Sequence, residues 1–143
     1  MTLYEKSAGA VVFRVAEDGT LLYLLLLPAE GKPWGFPKGK VQLFECELDT
    51  AKREISEETD LHNLEYYPDF RKSVIYSFKR GQNTVTKEVV YFIAKADNST
   101  TTISNEHIRY CWVALNAAIP LVIHENTIKI LTTADEHIKA KIQ

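Results

Sequence analysis

Residues Cys46–Asp60 read CELDTAKREISEETD, and how this segment folds decides how the rest of the chain must be arranged around it. Leu48, Ala51 and Ile55 recur at helical spacing on one side. Glu54, Glu57 and Glu58 fall at i, i+3 and i+4 and share another face. The pattern predicts an amphipathic helix whose apolar side is anchored in a core while carboxylates are displayed opposite. Like charges at this spacing repel by roughly 0.2 to 0.5 kcal/mol per pair. A solvated face is the ordinary explanation of a charge run. The sharper one is a divalent cation, Mg²⁺ or Mn²⁺, which takes hard carboxylate oxygens from a rigid element.

Outward from this helix, residues 29–45 (AEGKPWGFPKGKVQLFE) are rich in Gly and Pro and read as an irregular loop with a short strand inside it. Upstream, Ser7–Val15 (SAGAVVFRV) and Leu21–Pro28 (LLYLLLLP) flank Asp18-Gly19, a hairpin signal, and are expected as antiparallel neighbours. The second is apolar on both faces and belongs in the middle of a sheet. Downstream, KSVIYSFKR (72–80) and TVTKEVVYFIAKA (84–96) alternate around Gly81-Gln82-Asn83 as a second hairpin, and RYCWVAL (109–115) supplies a further strand. Glu125–Ile142, with Ile128, Ile130, Leu131, Ala134, Ile138 and Ile142, is an amphipathic terminal helix. Strands and helices without regular βαβ alternation predict an α/β fold, an α/β/α sandwich around a mixed sheet.

At 143 residues and 45% hydrophobic content, the chain has the size and composition of one domain, spanning 1–143. A net charge of −2 gives no global attraction to nucleic acid or anionic membrane, so any phosphate binding must be local. Cys46 and Cys111 lie in no metal or redox spacing. The longest apolar run, Leu21–Pro28, is too short for a bilayer, and the first residues lack a basic region followed by an apolar core. These features predict a soluble, cytoplasmic protein.

Gly39 is followed after five residues by Glu45. Seven residues later come Arg53-Glu54, the hydrophobic Ile55, Glu57-Glu58, Asp60 and Leu61. This run resembles the box of the Nudix hydrolases: Gly, five residues, Glu, seven residues, Arg-Glu-hydrophobic-any-Glu-Glu-any-Gly-hydrophobic. Asp60 stands in place of the last glycine, and Phe44 stands where many members have another. The resemblance implies a loop-helix-loop that holds Mg²⁺ or Mn²⁺ against a pyrophosphate. It implies Glu54, Glu57 and Glu58 as metal ligands and the Lys38 carbonyl as a further one. Glu45 would be a secondary carboxylate, and Arg53 would orient the glutamates. Asp60 is expected in the left-handed conformation that a glycine would take. For the general base the resemblance offers Glu106, six residues before Trp112, with Glu54 the other candidate and Glu88 after them.

GFPKGK (35–40), SAGAVVFR, SNEHIRYCW and the place of Tyr76 resemble the asymmetrical diadenosine tetraphosphate hydrolases of that family. The likeness implies cleavage of diadenosine tetraphosphate to ATP and AMP by metal-assisted attack of water, with a small nucleotide as partner. A long polyphosphate needs cations spread along it and aromatic faces for its base. Lys38, Lys40, Lys79 and Arg80 are candidates for the first, and Tyr76, Phe78 or Tyr91 for the second; each aromatic also reads as core. Tyr76 and Phe78 share one strand parity. Two other readings stand beside this one. WGFPKGKV and TAKREISEETD also resemble the catalytic domain of messenger-RNA decapping enzymes, and an RNA 5′-end pyrophosphohydrolase is a further form of that reading, although an acidic chain is poorly suited to holding RNA. A non-catalytic nucleotide-binding module is the third, against which the intact glutamates argue.

Overall fold

A computed structural model describes residues 1–28, 32–97 and 107–142. Its strands are β1 (Thr2–Val15), β2 (Leu21–Pro28), β3 (Lys38–Lys40), β4 (Glu65–Tyr66), β5 (Lys72–Arg80), β6 (Asn83–Lys95) and β7 (His107–Val113). Its helices are α1 (Glu47–Thr59), α2 (Leu115–Val122) and α3 (Glu125–Ile142). No helix among the described residues is long and apolar enough to cross a membrane.

The strands form one mixed sheet in the order β4-β6-β1-β2-β7, with β3 also paired to β1 and β5 to β6. The β1–β2 hairpin turns at Gly19 and the β5–β6 hairpin at Gly81, both at positive φ (88° and 62°), the conformation that glycine adopts without a steric penalty. β1 and β6 pair in parallel from Thr2↔Thr84 to Phe13↔Lys95. β2 lies between β1 and β7, and its Leu24 and Leu25 are fully buried on opposite faces.

Alternation divides the core in two. Val11, Phe13, Tyr23, Leu25, Tyr91 and Ile93 pack with Leu131, Ala134 and Ile138 of α3. Ala8, Ala10, Val12, Leu24, Phe92 and Ala94 pack with Ala51 and Ile55 of α1. The small side chains of Ala8 and Ala10 let α1 lie close to the sheet. This is the α/β/α sandwich the sequence predicts. Three features depart from it. β1 begins at Thr2, because its polar first residues are held by parallel pairing with a distant segment. β4 is only two residues long. α2 is a short, mostly apolar helix containing Pro120, too brief to show a helical period.

Candidate active site

α1 ends as Asp60 takes a left-handed conformation (φ 56°, ψ 22°) and its N–H caps the Ser56 carbonyl. Phe44 is also left-handed (φ 66°) and almost wholly exposed. Both residues that replace a family glycine thus keep a glycine-like backbone. Between them, Arg53 is a hub. It grips Glu45 through Nε to Oε2 (2.8 Å) and Nη2 to Oε1 (3.0 Å), donates from Nη1 to Glu54 (2.9 Å) and Glu57 (3.3 Å), and reaches the Lys40 carbonyl from Nη2 (3.0 Å). Glu45 also accepts from Thr50 Oγ1 (2.6 Å) and the Gln42 N–H (3.1 Å). Arg53 first, then Thr50, holds the Glu45 carboxyl down to about 2.

Two glutamates are pressed onto β3. A Cβ on Gly39 would fall within the Glu54 carboxylate, so only glycine admits that side chain. The Lys38 N–H donates to Glu58 Oε1 (3.1 Å), and Glu58 is buried. Glu57 is exposed and turned toward Arg53. Among the described residues no three Asp, Glu, His or Cys side chains converge closely enough to hold an ion. The donor chemistry nevertheless suits a hard divalent cation: Glu54 and Glu58 offer carboxylate oxygens fixed against backbone, and Glu57 stands on the same helix face.

β3 also leads to the other face of the sheet. Register and alternation place Tyr76, Lys87 and Glu5 in one row across β5, β6 and β1. Lys38, Lys40, Phe78 and Arg80 share that face. Tyr76 and Phe78 stack at 6.1 Å and 30° and are 42% and 37% exposed, so an aromatic surface is open to solvent. Lys38 joins the two regions. Burial and then Lys87 pull its ammonium pKa down, while Glu58 and Glu54 oppose the shift.

Other sequence candidates lie elsewhere. Lys79 is on the opposite face, its Nζ on Thr84 Oγ1 (2.8 Å). Tyr91 is buried edge-on against Phe36 (5.6 Å), which removes it as a stacking surface. Glu88 accepts from the Tyr4 hydroxyl (2.6 Å) on the face opposite the Tyr76 row. Glu106 lies outside the described residues. Sequence reasoning missed Lys87 and Glu5. The hairpin register around Gly81 would have set Lys87 opposite Tyr76, but Glu5 joins them only through the parallel pairing of β1 with β6.

The NUDIX domain family model matches residues 4–133. The mouse protein named bis(5′-nucleosyl)-tetraphosphatase [asymmetrical] is 30% identical over 128 residues, covering 81% of this chain and 83% of its own length. The pig protein of the same name is 32% identical over 126 residues with the same two coverages, 81% and 83%. Among solved structures, a C. elegans Ap4A hydrolase binary complex superposes with a TM-score of 0.86 at 28% identity, covering 95% of this chain and 98% of that one. With the box glutamates on α1, the mixed sheet behind them and a family match over most of its length, the chain belongs to the Nudix hydrolase family.

Proposed function

We propose that the chain is a cytoplasmic, divalent-cation-dependent hydrolase of dinucleoside polyphosphates, acting as a single domain over residues 1–143 and cleaving diadenosine tetraphosphate to ATP and AMP. The observation that carries this reading is the meeting, at Lys38, of the carboxylate face of α1 with a sheet face bearing Lys40, Lys87, Arg80 and the exposed Tyr76–Phe78 pair. A dinucleoside polyphosphate needs both: cations along the phosphates and an aromatic face for a base. The names of the mouse and pig relatives point the same way.

Glu54, Glu57 and Glu58 would hold Mg²⁺ or Mn²⁺, with the Lys38 carbonyl as a further oxygen donor. Such an ion neutralises phosphate oxygens and lowers the pKa of bound water. Arg53 keeps Glu54 and Glu57 in place and is itself fixed by Glu45. Gly39 lets the Glu54 carboxylate sit on the strand. Lys38, Lys40, Lys87 and Arg80 orient the polyphosphate, while Tyr76 and Phe78 carry a base. Proton removal from the attacking water falls to Glu106 or Glu54; a folded Glu106→Gln protein with full turnover assigns it to Glu54.

The test is product analysis with Mg²⁺ on diadenosine tetraphosphate and, in parallel, on triphosphorylated and capped RNA. Rapid ATP and AMP from the first with inert RNA supports the reading; preferential release from RNA ends moves the enzyme to RNA 5′ ends. Chelation should abolish turnover. Glu57→Gln should lower kcat by orders of magnitude at unchanged thermal midpoint, and a folded, fully active variant would refute the ligand assignment.

A further inference from the structure

We propose that Glu5 is a specificity-determining residue of the polyphosphate cleft, an internal anion that engages Lys40 and Arg80 and that the substrate's phosphates must displace. The proposal rests on the function given above. Glu5 receives Arg80 Nη1 on Oε2 at 2.9 Å and Nη2 on Oε1 at 3.5 Å, and Lys40 Nζ stands 3.6 Å from Oε2. Lys87 is its register partner on β6. Three strands thus direct cations at a single carboxylate whose side chain is 16% exposed. Arg80 above all holds this carboxyl below its usual range. On the face shared by β5, β6, β1 and β3, the charged side chains of these strands are Lys38, Lys40, Lys72, Arg80, Lys87 and Lys95 against the acid Glu5.

Such a carboxylate stands where a phosphate would be bound, and the two cannot both take the same guanidinium donors. Lys40 and Arg80 keep more than half of their side-chain surface in water (70% and 54%), so their pairing with Glu5 is of modest strength and can be exchanged. A pair of this kind is formed for roughly two thirds to four fifths of the time, so displacing it weakens anion binding by about three- to fivefold. The same carboxylate keeps the cations ordered when the cleft is empty and discriminates against anions too weakly charged to replace it.

Binding of inorganic tripolyphosphate, measured by calorimetry without divalent cation, separates this from catalysis. Glu5→Gln is expected to tighten binding about three- to fivefold. The gain should vanish when Arg80→Gln is added. Glu17→Gln removes the same charge from an exposed position in the β1–β2 turn and should change affinity by less than about twofold, because salt screens it. Glu5→Asp, which retracts the carboxylate, should give a smaller gain and serves if the Gln variant does not fold. Unchanged or weaker binding by a folded Glu5 variant overturns the proposal, as does a failure of both wild type and variant to bind. A wild type that binds tripolyphosphate more weakly than Glu5→Gln but does not cleave diadenosine tetraphosphate would overturn the substrate assignment alone.

Discussion

Gly39 and Gly9 lie one register step apart on the paired strands β3 and β1, yet they admit different neighbours. Gly39 makes room for the Glu54 carboxylate, the movable end of a side chain. Gly9 makes room for the Pro37 carbonyl and the Lys38 backbone, which cannot step aside. Gly39→Ala is therefore expected to displace Glu54 and lower kcat at least about a hundredfold, with a thermal midpoint close to wild type. Gly9→Ala should destabilise the fold by about 2 kcal/mol or more, read by denaturant titration. Opposite behaviour of the two alanines would show that the carboxylate, not the strand, is fixed. Phe44 and Asp60 carry the reverse lesson. Each is a side chain in left-handed backbone, and Phe44→Gly should stabilise by about 1 kcal/mol as that strain is relieved. Asp60→Gly should gain less, since Asp tolerates the region better.

α1 is tied down at both ends of its first turns. Glu45 is gripped by Arg53, and Glu47 accepts Arg71 Nε and Nη2 at 2.7 and 2.8 Å with Lys6 beside it. Arg71 opens the segment that enters β5, so the helix with the carboxylates is fastened to the strand with the aromatic pair. Both carboxyls are held at about 2 in the folded protein, against an ordinary value of 4.5: Glu45 by Arg53 and then Thr50, Glu47 mainly by Arg71 with Lys6 assisting. A depressed carboxyl contributes stability that is complete above its unfolded value and is lost as pH falls toward its folded one. The thermal midpoint is expected to be flat with respect to these groups from pH 7 to 5 and to drop between about pH 4.5 and 2. Arg71→Gln should lower the midpoint at pH 7 by an amount equivalent to about 1 kcal/mol or less, because the pair is partly screened by solvent, and should shrink the acid loss. An unchanged acid limb in that variant would place the titration elsewhere.

At the scale of the molecule, the sequence showed what depends on local periodicity. α1, α3, both hairpins and the interior place of β2, between β1 and the edge strand β7 rather than at the centre of the sheet, follow from spacing, turn residues and apolar runs. The box residues were legible because Gly39, Glu45, Arg53 and the glutamates are close in sequence. The face that carries Lys40, Lys87, Arg80 and the aromatic pair was legible only in part, because its parts meet through strand pairing. Tyr91 alternates like a site residue, but Phe36 and α3's side of the core bury it. Lys79 is charged like its neighbours, but a one-residue step puts it on the other face. Glu5 has no local signal, since its row is assembled by a strand far along the chain.

That pairing also orders events in time. Thr2 meets Thr84 and Phe13 meets Lys95, so β1 has to wait for its parallel partner until β2 to β5 and α1, which lie between them, have been made. Such non-local pairing raises contact order, and refolding is expected to take roughly milliseconds to seconds rather than microseconds. Nascent chains ending before Lys95 should remain sensitive to protease throughout the sheet. The carboxylate helix packs on Ala8, Ala10 and Val12 of β1, and Phe92 and Ala94 of β6 complete that platform, so enzymatic competence appears only once β6 has arrived.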